Sequence, residues 1–211
     1  MIAAVTARPS QGAQQDAHAG YLDRDSWNPP QIIGRRVALR RPVPSDLSAL
    51  KRWYRDNEIA RLTRYQERPM TEQEVERFFH TRMLTTDALA YCIVELPDWR
   101  LIGFTTFSAL DVDNGSVMFH ITIGERDAWG RGLGTEATEL MVGHAFERLM
   151  LHRVGLTVFS YNVRAIRAYE KAGFRIEGRL REAIVREGLY FDEVQMGILA
   201  EEWVARQAVE R

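Results

Sequence analysis

The chain has almost no sulfur chemistry available to it, because Cys92 is the only cysteine among 211 residues. One thiol excludes an intramolecular disulfide and any multi-cysteine zinc site. Set in the apolar run 88–96, it reads as a small buried hydrophobe. An excess of either charge is also missing. Lys and Arg number 28 against 29 Asp and Glu, a formal net charge of −1. No strong field therefore recruits nucleic acid or an anionic membrane. No stretch approaches the ~20 apolar residues of a membrane span. The opening Met1-Ile2-Ala3-Ala4-Val5 is too short for a signal-peptide core, and no basic region precedes it. The expectation is a cytoplasmic protein with neither nucleic acid nor membrane as partner. Histidines and carboxylates show no tight spacing such as H-E-x-x-H, so no metal is expected.

The length suits one domain with a sizeable core and is short for two. Residues 1–30 are rich in Ala, Gln, Gly and Asp with little apolar periodicity, and read as a flexible tail. Asn28-Pro29-Pro30 marks its boundary, since proline disfavours continued helix. The domain is placed at 31–211. Within it, 36–41 reads as a strand with Val37 and Leu39 on one face. Ser45 is placed as cap of a helix carrying Leu47, Leu50 and Trp53. Thr71 and Glu74 have capping-box spacing ahead of Val75, Phe78 and Phe79. Strand-like runs follow at 88–96, 101–110 and 116–123, joined through Pro97-Asp98 and Asp113-Asn114-Gly115. Joints this short imply an antiparallel meander. Beyond them come a helix over 134–149, a strand over 153–159, and a helix over 164–172 ended by Gly173. Two closing strands at 175–184 and 190–199 turn at Glu187-Gly188. The predicted fold class is a single mixed α/β (α+β) domain.

The strongest local signal is Trp129-Gly130-Arg131-Gly132-Leu133-Gly134-Thr135-Glu136-Ala137. Three glycines in five positions, between an apolar strand and an amphipathic helix, let the backbone approach a ligand and turn its amides inward. The helix start adds unpaired donors and a positive dipole end. Together they suit phosphate or pyrophosphate. The pattern is neither G-x-x-x-x-G-K-[ST] nor G-x-G-x-x-G, which disfavours a P-loop NTPase and a dinucleotide-binding unit. Further on, Asn162 stands at the mouth of a helix, and Tyr169 lies two turns along the same face. Taken singly, Asn162 could be an N-cap and Tyr169 a packing residue.

In order and spacing, Gly130 through Thr135 followed by Asn162 through Phe174 resembles the acetyl-CoA-binding segments of the GNAT (Gcn5-related N-acetyltransferase) superfamily. Within it, the RimJ/RimL-type ribosomal-protein N-terminal acetyltransferase branch is similar at Trp129-Gly130, Thr135-Glu136-Ala137, Glu177-Gly178-Arg179-Leu180-Arg181, Gly188 to Asp192, and Met196-Gly197. The likeness covers roughly 33–204. It implies a mostly antiparallel, splayed central sheet flanked by helices. It also implies acetyl transfer from acetyl-CoA to a primary amine, by direct attack on the thioester. The amides of Arg131, Gly132, Leu133, Gly134 and Thr135 would hold the pyrophosphate, and Asn162 the pantetheine arm. A backbone N–H near Ile121 or Ile123 would polarise the thioester carbonyl, and Tyr169 would serve the leaving sulfur.

The sequence departs from the pattern at the base. Relatives often carry Glu in the strand before the loop, where this chain has Met118. His120, two residues on and on the same face, is the candidate in its place, with a core histidine as the alternative. Glu136 reads as a complement to the helix dipole, and His144 as core. The implied acceptor is the α-amine of a protein or peptide, or else a polyamine, amino acid or aminoglycoside-like amine. Tyr65, Glu67, Tyr190 and Asp192 are the candidates to bind it. A non-catalytic acyl-CoA-binding sensor is the rival reading, and a homodimer is left open.

Overall fold

The computed structural model describes residues 30–66, 68–85 and 89–209. Except for Pro30, the expected tail over 1–30 lies outside the described residues, as does Glu67. The described residues form eight strands and six α-helices. The strands are β1 (Pro30–Ile33), β2 (Val37–Arg40), β3 (Ala90–Glu95), β4 (Arg100–Asp111), β5 (Ser116–Ile123), β6 (Arg153–Phe159), β7 (Arg175–Arg186) and β8 (Leu189–Leu199). The helices are α1 (Leu47–Tyr54), α2 (Asn57–Thr63), α3 (Glu72–Phe78), α4 (Leu133–Glu147), α5 (Val163–Lys171) and α6 (Ala200–Val209). One sheet holds all the strands in the order β1-β2-β3-β4-β5-β6-β8-β7. Every neighbouring pair is antiparallel except β5 and β6. The α/β, mostly antiparallel reading therefore holds.

Local chemistry accounts for the joints. After β4, the Asp111 carboxylate accepts from the Asn114 amide at 2.9 Å and from its side chain at 2.8 Å. Between β7 and β8, Glu187 and Gly188 both take positive φ (52° and 77°), the pairing that a two-residue hairpin matched to strand twist requires. At the start of α3, Thr71 N–H donates to Glu74 at 2.8 Å, and Glu74 N–H donates to the Thr71 hydroxyl at 3.3 Å. The expected capping box is present. The expected Ser45 cap is not, because Pro44–Asp46 is a 3₁₀ turn and Asp46 takes the role of anchor. Its carboxylate accepts from Val43 N–H at 2.8 Å and pairs with both Arg40 terminal nitrogens at 2.8 and 2.6 Å. An ionised acceptor facing a guanidinium makes stronger bonds than a serine hydroxyl would.

Two apolar layers sandwich the sheet. On one face, Val117, Phe119, Val154, Leu156 and Val158 pack with Ala137, Met141 and Ala145 of α4 and Trp203 of α6. On the other, Leu50 and Trp53 of α1 pack with Val75 of α3 and Phe104 of β4. Leu50 and Val75 are fully buried, each contributing about 1.5–3 kcal/mol of hydrophobic stabilisation. The sequence reading had no β1, α2 or α6. The cap of α2, Asp56, accepts from Glu58 and Ile59 N–H at 2.8 and 3.2 Å, and Ile59 and Ala60 are buried.

Candidate active site

Between β5 and β6 the sheet opens. Their parallel register pairs Ser116 with Arg153, Val117 with Val154 and Met118 with Gly155, and then stops. β5 continues to Ile123 along β4, while β6 continues to Phe159 along β8. A cleft of about 1340 Å³ occupies the divergence, with Phe119, Ile121 and Ile123 on one side and Thr157, Val158 and Phe159 on the other. That exceeds the ~300–1,000 Å³ usual for one small ligand, so two reactants can meet there. The expected splay is thus present, and it leaves an edge of β5 unpaired. Trp129 Nε1 donates to the Ile123 carbonyl at 2.8 Å, which places that carbonyl away from β4. The Gly124 N–H to Ile102 carbonyl bond, 2.8 Å, fixes the same phase. Because edges alternate along a strand, the amides of Ile121 and Ile123 also point away from β4, towards the cleft.

The glycine loop ends against this slot. Gly130 and Gly132 take φ of 74° and 80°, a region glycine enters without steric strain. Gly132 is the N-cap of α4, and Glu136 N–H is bonded to its carbonyl at 3.1 Å. The amides of Leu133, Gly134 and Thr135 come before that first turn closes and have no intrahelical partner. Gly130, Gly132, Gly134 and Thr135 line the cleft. Arg131 and Leu133 are positioned to offer only backbone, since the Arg131 side chain pairs with Glu95 and Leu133 is buried in the core. A cluster of open amides at a positive helix end is the chemistry that binds a pyrophosphate.

Glu136 does more than face the helix dipole. Its Oε1 accepts from Arg35 and Arg36 N–H at 2.6 and 2.8 Å, and its Oε2 from Arg36 Nε at 3.0 Å. Burial works against its charge, but the Arg36, Arg35 and Val37 amides and the Arg36 guanidinium outweigh it and lower its pKa. Arg36 also donates through Nη1 to the Arg131 carbonyl at 2.9 Å. The turn between β1 and β2 is thereby fastened to the loop from behind, leaving the loop's cleft side open.

α5 forms the far wall. Asn162 is its N-cap, accepting from Ala165 N–H at 3.2 Å, and Nδ2 makes a long 3.4 Å contact to the Leu62 carbonyl. The capping reading of Asn162 is correct, and one amide hydrogen remains for a ligand. Tyr169 lines the cleft with its ring edge-on to Phe119 at 6.3 Å and tilted against Phe174 at 6.0 Å. Burial pushes its pKa up, so the phenol keeps its proton. Its hydroxyl has no hydrogen-bond partner among the described residues. Arg164, which the sequence reading passed over, also lines the cleft and lies 3.9 Å over the Trp129 ring. Its position in the first turn after Asn162 was the available signal.

His120 faces the same cleft from β5. The residue is exposed to solvent, yet surrounding protein desolvates the ring and lowers its pKa. Nε2 is 2.7 Å from Ser108 Oγ of the neighbouring strand, a partner the sequence did not suggest. His144 is half-buried and 3.1 Å from the Tyr91 hydroxyl, remote from the cleft lining.

Of the acceptor-side candidates, Tyr65 lines the cleft and its hydroxyl donates to Glu193. Glu193 is buried at 5% exposure and was not anticipated. Tyr190, 64% exposed, pairs with Val185 near the hairpin tip, and Asp192 accepts from Glu182 N–H at 3.0 Å. Neither is among the cleft-lining residues. Side chains alternate faces along a strand, and Glu193 occupies the opposite face from these two. Among the described residues no group of three or more His, Cys, Asp or Glu could hold a metal ion, and no helix is long and apolar enough to cross a membrane.

Comparison with known proteins agrees with this geometry. The family model described as an acetyltransferase (GNAT) domain matches residues 36–175. The SPbeta prophage-derived uncharacterized N-acetyltransferase YokL of Bacillus subtilis (strain 168) is 28% identical over 170 residues, 81% of this chain and 93% of that protein. YjcK of the same organism, named as a probable N-acetyltransferase, is 33% identical over 142 residues, 66% of this chain and 69% of its own. Among solved structures, spermidine N-acetyltransferase from Vibrio cholerae, in complex with CoA and spermine, superposes with a TM-score of 0.72 at 23% identity. That alignment covers 80% of this chain and 98% of the other.

Proposed function

The chain belongs to the GNAT acetyltransferases, enzymes that draw acetyl from acetyl-CoA, and from that premise we propose that it acetylates an α-amine by direct attack on the thioester. The observation that carries this reading is the divergence of β5 from β6 beside the open amides of α4. The amides of Arg131 to Thr135 hold the pyrophosphate, and Asn162 Nδ2 the pantetheine arm. The outward amides of Ile121 and Ile123 face the thioester oxygen and stabilise negative charge as it grows there. The amine lone pair attacks the carbonyl carbon, and His120 takes the proton that nitrogen must lose. As the carbon–sulfur bond breaks, the Tyr169 hydroxyl gives its proton to sulfur. The catalytic domain in this reading is residues 31–211.

An α-amine suits the base. An imidazole whose pKa is lowered is neutral at pH 7 but a modest proton acceptor. It matches an α-amine titrating near ~8 better than a lysine-like or polyamine nitrogen near ~10.4. The motifs shared with the RimJ/RimL-type branch support a peptide or protein N-terminus as the bearer of that amine. A non-catalytic sensor is less well supported, because the Tyr169 hydroxyl stands unengaged at the cleft where a leaving thiolate needs a donor.

Release of CoA thiol, followed with acetyl-CoA and a panel of amines, tests the reading. The expected ranking puts α-amines of peptides and amino acids above spermidine and lysine ε-amines. Thiol release that spermidine drives best would overturn the α-amine assignment.

A further inference from the structure

The acceptor half of the cleft lies between α2, α3 and β4, and it is cationic. Arg64, just past the end of α2, and Arg82, beyond α3, both line it. Among the described residues the whole cleft lining contains no Asp or Glu. The two arginines enter the same cleft from the ends of neighbouring helical segments. Tyr54 and Phe78, whose rings meet edge-on at 5.7 Å, line the same cleft. Their guanidinium groups are largely unengaged. Arg64 Nη2 donates to Gln66 at 3.1 Å, but its Nη1 is buried with no partner. Glu74, the carboxylate whose charge reaches Arg64, has both oxygens on Arg68 at 2.8 and 2.7 Å. Arg82 is exposed and forms no ion pair among the described residues.

A buried guanidinium nitrogen without an acceptor is costly, and arginine cannot shed its proton to escape that cost. A planar, forked donor with an unpaired nitrogen, in a cleft that holds a second arginine and no acidic lining residue among those described, is chemistry that receives a carboxylate. Resting on the acetyl-transfer reading above, we infer that the acceptor carries a carboxylate besides its amine, and that Arg64 and Arg82 bind it. The carboxylate is either the α-carboxylate of a free amino acid or an acidic side chain near a peptide's N-terminus. A polyamine, cationic at every nitrogen, meets repulsion in this half of the cleft.

The test uses the full chain with acetyl-CoA and four acceptors: glutamate, its α,γ-diamide, a peptide beginning Ala-Asp, and the same peptide beginning Ala-Asn. One carboxylate-bearing member should exceed its amide partner by roughly tenfold or more in kcat/KM, and which pair does so identifies the source of the carboxylate. Arg64→Gln should raise KM for that acceptor by roughly 30-fold or more, and collapse the carboxylate-to-amide ratio towards one. Arg82→Gln, at an exposed position, should erode the same ratio without endangering the fold. A second readout is calorimetric binding of the N-acetylated acid to the CoA-loaded protein. Equal use of acid and amide by the wild type, or a ratio that survives both substitutions, overturns the inference while leaving acetyl transfer intact. Absence of turnover with every amine, together with Arg64-dependent binding of the acetylated acid, overturns the transfer reading and retains the anion site. Absence of that binding as well overturns both.

Discussion

Ser108 Oγ on β4 lies 2.7 Å from Nε2 of His120 on β5, across the strand pair that lines one wall of the cleft. A hydroxyl can donate or accept, so it can hold the neutral ring as proton acceptor and still bond to the imidazolium once the proton has moved. In the proposed mechanism this bond steadies the ring that acts as base. The ring has a polar neighbour and lines the cleft.

The pH dependence follows from the direction of the His120 shift. Burial lowers its pKa, so the neutral form is favoured at pH 7 and is lost only as pH falls below the ordinary imidazole value of ~6.5. The acid limb of kcat/KM should therefore sit below ~6.5, and His120→Gln should remove that limb while lowering kcat/KM by roughly 10²–10⁴-fold. A variant that keeps both the limb and the rate takes His120 out of the mechanism. Ser108→Ala should shift the limb with a smaller loss, since it removes the neighbour and leaves the base.

Glu136 should matter to stability through charge. With its folded pKa depressed, its contribution is fully present above the unfolded value near ~4.3, and disappears as pH falls through the lower folded value. Glu136→Gln keeps one acceptor oxygen but loses the charge facing Arg36 and the amides of Arg35 and Arg36. A loss of about 1–3 kcal/mol at pH 7 is expected. Urea denaturation at pH 7 and pH 3 checks it, with the gap between the proteins shrinking at the lower pH. A gap of the same size at both values would show that shape rather than charge is responsible.

The antiparallel meander and the closing strand pair were legible in the sequence because periodic apolar runs and short turn segments mark them, while the splay was legible only through the resemblance carried by the two spaced motifs. What escaped was set by long-range contact. Glu193 meets Tyr65 only because the chain after α2 folds across β8, and no local pattern marks a buried carboxylate at that position. Arg186 was missed for the same reason. It is 2% exposed, with its guanidinium on the carbonyls of Arg64 and Tyr65, and so holds the segment that presents Arg64 to the cleft. Tyr190 and Asp192 lie outside the cleft lining because their strand parity is opposite to that of Glu193, which a short hairpin leaves open until its register is known. Ser45 was displaced by its neighbour Asp46, whose partner Arg40 lies on another element.

The glycine cradle can be tested at its tightest point. A β-carbon on Gly132 would come within 3.1 Å of Arg36 Nη2 and would hold a left-handed backbone, at about 1–2 kcal/mol. Gly132→Val should weaken CoA binding by roughly tenfold or more, a 1.4 kcal/mol loss at the least. Calorimetry with free CoA measures this, and the circular-dichroism spectrum confirms that the domain is folded. Unchanged affinity in a folded variant would show that the amides of this loop do not carry the pyrophosphate.

Tyr169→Phe separates proton donation from packing. The ring's contacts with Phe119 and Phe174 survive the substitution, and so does the wall it forms along the cleft. Only the hydroxyl is lost, and in the folded protein that group has its pKa pushed up by burial and keeps its proton. The same burial makes a thiolate expelled beside it more basic, so phenol and sulfur share the proton inside one dry cleft. The hydroxyl's interaction with sulfur strengthens only as the carbon–sulfur bond breaks, so the loss belongs to the transition state. Chemistry in a single turnover should slow by roughly 10²–10⁴-fold, with acetyl-CoA affinity little changed. An acetyl donor that leaves a more acidic thiol should recover part of the loss, because a stable thiolate needs no proton donor. Acetyl-CoA replaced by a thioester of a low-pKa aromatic thiol supplies that comparison. If the variant is equally slow with both thioesters, or loses affinity while its chemical step is unaltered, Tyr169 holds the substrate and does not protonate the sulfur.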